Sequence, residues 1–106
     1  MLKLRINPIV AVDLKNIRDY IAEDNEKYAE ITIREIYDKF ESLKLFPRMG
    51  AKLSKRVSFR TDYKYLIWKN YVIIYKESKE YVEIYRVLNR YQDITRIFNE
   101  WKSTSY

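Results

Sequence analysis

The chain opens on MLKLRI, in which Leu2, Leu4 and Ile6 alternate with Lys3 and Arg5. A period of two predicts a β-strand with one buried face. Asn7-Pro8 follows, with Asn7 suited to cap a helix and Pro8 to its first turn, where a missing N–H costs nothing. Val10, Leu14, Ile17 and Ile21 then recur at spacings of four, three and four, a helical stripe that leaves Asp13, Lys15, Asn16, Arg18 and Asp19 on the polar side. The polar break Glu23-Asp24-Asn25 ends it. A second helix begins near Glu26 and carries Ala29, Ile33, Ile36, Phe40 and Leu43 along one seam before Phe46-Pro47 stops it. So short a connection predicts an antiparallel helical hairpin with both stripes on one common surface.

From Pro47-Arg48-Met49-Gly50 a basic connector leads to about Phe59, and the helical pattern gives way to strands. Three are predicted, over residues 63–67, 71–76 and 81–88, with Lys69-Asn70 and Glu77-Ser78-Lys79-Glu80 as the turns. A short helix over 92–102 would place Ile94, Ile97, Phe98 and Trp101 on one side. The order strand, helix, helix, three strands, short helix predicts an α+β domain. Its hairpin packs on one face of a mainly antiparallel four-stranded sheet that the first strand must join. In the middle strand Tyr71, Ile73 and Tyr75 share one face and Val72, Ile74 and Lys76 the other, and neither is plainly polar. Helices on one side and a bound partner on the other would explain such a strand.

Composition narrows the chemistry. The 106 residues fit one domain, 1–106, with a core of its own. With no cysteine and no histidine, disulfides and thiolate chemistry are excluded and nitrogen and sulfur metal sites nearly so, which predicts no metal and no cofactor. No apolar run approaches the length of about 18 residues that a membrane span needs, and no export leader is evident. The expectation is a cytoplasmic protein with no membrane partner. Lys and Arg number 21 against 15 Asp and Glu, a net charge of +6, which points to an anionic partner, nucleic acid or acidic protein. Seven of the cations fall between Arg48 and Lys69, where Asp62 is the one acid.

Candidate sites gather at RVLNRYQD. If no bulge intervenes, Arg86, Leu88 and Arg90 point the same way. Lys64, Arg86, Arg90 and Tyr91 would then form one basic, aromatic-tipped patch on the sheet face opposite the helices. There, arginine can pair bidentately with phosphate or carboxylate and tyrosine can stack on a base. The alternative is separate solvated charges with Tyr91 packed on the terminal helix. Val72, Ile74, Val82, Ile84 and Leu88 compose a second apolar set on that face, which a partner segment would cover as an amphipathic helix or an added strand. Most of the strand tyrosines read as structural, and no pair of carboxylates forms an acid-base dyad.

LKNIRDYIAE, LKLFPRMG, YLIWKNYVIIYK and VEIYRVLNRYQDITRIF resemble, in order and spacing, the toxins of the RelE/ParE superfamily of bacterial toxin-antitoxin modules. The likeness spans nearly the whole chain. It implies a toxin silenced by a cognate antitoxin, with one of two targets: messenger RNA cut on the ribosome by RelE-like members, or DNA gyrase poisoned by ParE-like ones. The RelE-type ribonuclease uses basic side chains on the open sheet face. Its basic positions fall here at Lys64, Leu66, Val72 and Arg90, and its C-terminal tyrosine falls near Arg96. If the protein is a metal-independent endoribonuclease, the candidates are therefore Lys64, Arg90 and Tyr91. VLNRYQDI is similar to the ParE-type strand end, where a histidine often stands at the place of Asn89, and this favours gyrase. The candidate target contacts are Arg86, Asn89, Arg90, Tyr91, Lys64 and Arg60. The acidic antitoxin is assigned to Val72, Ile74, Val82, Ile84 and Leu88. A non-toxic α+β binding module is the remaining alternative.

Overall fold

In a computed structural model of the protein, residues 1–57, 59–92, 94, 96 and 97 are described. Strand β1 (Lys3–Ile6) runs into α1 (Ile9–Ala22) through Asn7, whose Oδ1 accepts from the Ile9 amide at 3.2 Å. Pro8 already has helical φ and ψ of −52° and −31°, so Asn7 and Pro8 together start the helix as their chemistry predicts. Asn25 caps α2 (Glu26–Leu45) by accepting from the Tyr28 amide at 2.9 Å. The expected connector contains the two-residue strand β2 (Ala51–Lys52) and a single 3-10 turn (Leu53–Lys55). Strands β3 (Lys64–Trp68), β4 (Tyr71–Glu77) and β5 (Tyr81–Asn89) complete the sheet.

Among the described residues the sheet has five strands, not the predicted four, in the order β1-β5-β4-β3-β2. Only β1, against β5, pairs in parallel; β2-β3, β3-β4 and β4-β5 are antiparallel. Two residues of alternation were too few to announce β2 in the sequence. Of the predicted terminal helix, Ile94, Arg96 and Ile97 are helical, while Asp93, Thr95 and residues 98–102, with Phe98 and Trp101, lie outside the described residues.

The helices cover one face. Val10 and Leu14 of α1 and Ile36, Phe40 and Leu43 of α2 pack with Ile73, Tyr75, Val82, Ile84 and Val87 of the sheet. The other face carries a second cluster, Val72, Ile74 and Leu88 together with Leu53 and Ile94, bordered by Val57, Phe59 and Ile97. This corrects the expectation of an open apolar face awaiting a partner. Val72, Ile74 and Leu88 are 0%, 1% and 5% exposed because the connector and the start of the C-terminal segment cover them. Val82 and Ile84 do not belong to that face at all; they lie in the core under the helices.

The reason is a β-bulge. Tyr75 pairs with Ile84 but its neighbour Ile74 pairs with Arg86, so Tyr85 is an extra residue in β5. One unpaired residue reverses the alternation. Val82 and Ile84 face the helices before the bulge and Val87 after it, while Leu88 turns to the opposite side.

Packing also acts on the phenols. Burial holds the Tyr63, Tyr71, Tyr75 and Tyr85 hydroxyls above their usual value of 10.0, because a phenolate would lose its hydration there. A folded-state pKa raised above the unfolded one contributes stability that is complete below the unfolded value and lost as pH rises through the folded one. The unfolding free energy should therefore be level at about pH 9 and fall steadily by about pH 11. Denaturant unfolding monitored alongside phenolate absorbance checks this, and unchanged stability across that interval would contradict it.

Candidate functional site

Beyond Ile84, strand β5 has lost its neighbour, since β1 ends at the Ile6 to Ile84 pair and the chain turns into α1. An unpaired edge of this kind exposes amide groups to any passing strand. Asp13, one turn into α1, closes it: Oδ2 accepts from the Val87 amide at 3.0 Å and from Arg86 Nε at 2.8 Å, and Oδ1 accepts from Arg86 Nη2 at 2.8 Å. The carboxylate stands in for the carbonyl of a missing strand. Asp13 is 7% exposed, and its hydrogen bond is the main cause that raises the Arg86 guanidinium above its ordinary pKa. The sequence reading put Asp13 on the polar side of α1. It is in fact buried, three residues after Val10 and four before Ile17, on the edge of the apolar stripe.

Arg86 is therefore bound within the framework, which departs from the expectation that it and Arg90 present two free guanidinium groups to one ligand. Arg90 lies past the end of β5, exposed, with its amide bonded to the Asn70 carbonyl at 2.8 Å. Its Nη1 donates to the Lys69 carbonyl at 3.3 Å, and its guanidinium carbon is 5.5 Å from the centroid of the Tyr91 ring. The Asn89 amide donates to Gln92 Oε1 at 3.0 Å, and Asn89 Oδ1 accepts from the Tyr91 amide at 2.9 Å. These reciprocal bonds build a tight corner with Asn89, Arg90, Tyr91 and Gln92 all exposed.

Beside the corner a groove of about 680 Å³ runs between α1 and the ends of β4 and β5. Asn16, Ile17 and Tyr20 of α1 form one wall, and Asn70, Tyr71, Asn89, Tyr91 and Gln92 form the other, above Asp13 and Arg86. Tyr20 and Tyr91 are 76% and 77% exposed. The sequence reading missed the α1 wall, because Asn16 and Tyr20 are ordinary polar-face residues until β5 is placed next to them. It named Lys69-Asn70 only as a turn. Lys69 has φ of 53°, a left-handed conformation in which glycine is preferred, and its Nζ is 3.6 Å from Glu35 Oε1 and 4.7 Å from the Trp68 ring centroid.

The remaining predicted site residues lie elsewhere. Lys64 pairs with Tyr75 across β3 and β4, so it stands on the helix-covered side of the sheet and not on the opposite face, and its Nζ is 3.1 Å from Glu77 Oε1. Leu66 pairs with Ile73 on that same side, whereas Val72 is fully buried on the other. Lys64 is four residues along the ladder from Tyr71, the partner of Asn89, a separation of about 13 Å at the rise of an extended strand. Arg60 is exposed ahead of β3, and Arg96 is exposed in the C-terminal segment. The four basic positions of a RelE-type ribonuclease thus do not converge. Among the described residues, no helix is long and apolar enough to cross a membrane.

Two helices laid against a mixed sheet, with a polar corner at the sheet's unpaired edge, define a RelE/ParE-type α+β fold. The profile of the ParE toxin of the type II toxin-antitoxin system parDE matches residues 4–94, and the chain belongs to that family. A solved structure described as the chromosomal ParDE TA system from P. aeruginosa matches with a TM-score of 0.70. At 18% identity it covers 84% of this chain and 96% of that one, a likeness of fold. No curated protein matches the chain.

Proposed function

We propose that the protein stops growth by binding DNA gyrase and that a cognate antitoxin neutralises it. The match to the ParE toxin family over residues 4–94 is the observation that carries this reading. The dispersal of Lys64, Leu66, Val72 and Arg90 adds to it. Attack of a 2′-hydroxyl on its phosphate needs a base, an acid and cations around one phosphorus, and Lys64 and Arg90 are separated along the sheet by more than a phosphate can span. The target contacts are the exposed residues Asn89, Arg90 and Tyr91. Arg86 supports them from below, and Arg60 and Lys64 lie outside the corner.

The antitoxin segment is acidic, in keeping with the net charge of +6, which speeds association more than it sets affinity. Because Val72, Ile74, Val82, Ile84 and Leu88 are covered from within, its contacts fall on other surface. Induced expression in a bacterium tests the whole reading. Gyrase action gives covalent gyrase-DNA complexes and a DNA-damage response, and co-expression of the antitoxin restores growth. Codon-placed cuts in mRNA without a damage response would replace gyrase by the ribosome-dependent ribonuclease, and normal growth with well-folded protein would refute toxicity altogether.

A further inference from the structure

The basic connector between α2 and β3 takes no part in the groove beside α1. Its five cations, Arg48, Lys52, Lys55, Arg56 and Arg60, share the segment with one acid, Asp62. Elsewhere in the fold Arg5 is paired with Glu83, Lys15 and Arg18 with Asp19, Lys44 with Glu41, Lys64 with Glu77, Lys69 with Glu35 and Arg86 with Asp13. The connector differs. Among the described residues none of its five cations forms an ion pair, and all five are exposed.

These charges are held in place because the connector is. The Gly50 amide donates to Tyr75 Oη at 2.9 Å, the Leu53 amide donates to the Tyr63 carbonyl at 3.0 Å, and the Leu53 side chain is fully buried in the cluster with Val72 and Ile74. The Leu53 carbonyl accepts from the Arg56 and Val57 amides at 2.8 and 3.2 Å, which closes the 3-10 turn. Lys52 and Arg56 flank that turn and Lys55 ends it. At a rise of about 2 Å per residue the backbone from Lys52 to Arg56 spans only about 8 Å. The Arg56 guanidinium carbon stands 5.2 Å from the centroid of the Tyr65 ring. Val57 and Phe59 border the cluster beneath, so the connector turns its apolar residues inward and shows its charge.

What the surface lacks decides its ligand. Protein interfaces concentrate their energy in buried apolar or aromatic anchors and are poor in lysine, yet between residues 51 and 65 no large apolar or aromatic side chain is exposed among the described residues. An acidic protein would find charge here and no anchor. Single-stranded nucleic acid needs open rings on which its bases can stack, and Phe59, Tyr63 and Tyr65 are all partly buried against the second cluster. A duplex has already stacked its bases and offers phosphates alone, for which a succession of unpaired cations is sufficient, because each phosphate neutralised adds to affinity. We infer that the connector is a second contact surface, on which Lys55, Arg56 and Arg60, with Lys52 at the sheet edge, hold the phosphate backbone of duplex DNA without regard to its sequence. The inference rests on the gyrase reading only for the source of that duplex, the DNA on which gyrase acts.

Titration of the purified full chain into a short fluorescent DNA duplex tests it. Three phosphate contacts give an affinity that falls about fortyfold between about 50 and 200 mM salt, and each single substitution to glutamine should lower the salt slope by about 1. Lys55→Gln, Arg56→Gln and Arg60→Gln together should weaken binding by about tenfold or more. The thermal midpoint should stay as in the wild type, since all three side chains are exposed. Lys27→Gln, Arg34→Gln and Lys79→Gln together remove the same charge from exposed positions elsewhere, and should leave binding close to that of the wild type. Equal losses from the two triple variants would ascribe binding to net charge and overturn the surface, as would binding that does not respond to salt or no binding at all. Polyglutamate bound as tightly as DNA, and lost with the connector triple, would assign the surface to an acidic protein and refute the duplex. Tighter binding of single-stranded DNA or of duplex RNA would refute it too. Because DNA binding is read without gyrase, its failure leaves the toxin reading intact, and a wild-type chain that binds DNA but does not inhibit growth refutes the toxin reading alone.

Discussion

Replacing Asp13 by alanine should destabilise the protein by about 3–5 kcal/mol, the range for removing one partner of a buried ion pair. The substitution deletes an acceptor of three hydrogen bonds. It leaves the Val87 amide, on a residue 1% exposed, without a partner, and a guanidinium only 17% exposed without its counter-charge. Asp13→Asn should cost less, because one amide oxygen can still accept from Val87 while the bidentate pairing is lost. Arg86→Ala in turn strands the Asp13 carboxylate with the Val87 amide alone. A double substitution should therefore cost well under the sum of the singles. Urea unfolding of the four variants measures this. The pair should also persist through alkaline titration. The Asp13 hydrogen bond raises the Arg86 pKa above its ordinary value, so this contribution is complete across the neutral and mildly alkaline range and lost only in strong alkali. A cost near 1 kcal/mol for Asp13→Ala would mean that the pair behaves as a solvated surface bridge. Such a result would return Arg86 to the candidates for direct target contact.

A comparable loss, about 3 kcal/mol or more, is expected from Gly50→Ala, at the severe end of overpacking. A Cβ built on Gly50 would lie 2.5 Å from the Tyr65 carbonyl oxygen, 2.6 Å from Tyr75 Oη and 2.8 Å from Tyr75 Cε1. None of these can yield cheaply. The carbonyl belongs to the β3 residue that pairs with Ala51. Tyr75 is fully buried, accepts from the Gly50 amide at 2.9 Å and donates to the Pro47 carbonyl at 2.7 Å. The glycine is present for space and not for a left-handed conformation, since no glycine here has positive φ. Tyr75→Phe separates the two contributions: it keeps the ring and removes both hydrogen bonds, so it should cost about 1–3 kcal/mol. A thermal midpoint for Gly50→Ala equal to the wild type would show that β2 gives way freely. Tyr75 would then not be the post to which the end of α2 is tied.

The helical hairpin was legible because its information is local. Ala29, Ile36, Phe40 and Leu43 are buried where their spacing puts them, and Asn25 caps α2 at the break the polar run announces. The three long strands follow for the same reason, from short β-rich runs between turn residues. The candidate site was legible only in part. Asn89, Arg90 and Tyr91 are exposed together at the end of β5, as a strand end rich in polar residues suggests. Arg86 looked equivalent to Arg90 because strand parity is all that a sequence offers, and parity fails at a bulge. Nothing in VEIYRVLN marks Tyr85 as the extra residue, since the bulge is set by the register of β5 against β4 and by Asp13, 73 positions away from Arg86.

The sequence by itself determined the helices, the strand segments, the order of elements and the excess of positive charge, each of which depends on neighbours a few residues apart or on composition alone. Tertiary structure alone decided which side of the sheet each β5 residue faces and that the connector closes the second face over Val72 and Ile74. It alone brought Asn16 and Tyr20 of α1 across from Asn89 and Gln92 to enclose a groove. Those outcomes depend on long-range register and on a buried ion pair, whose energies arise only when distant segments meet and exclude water from between them.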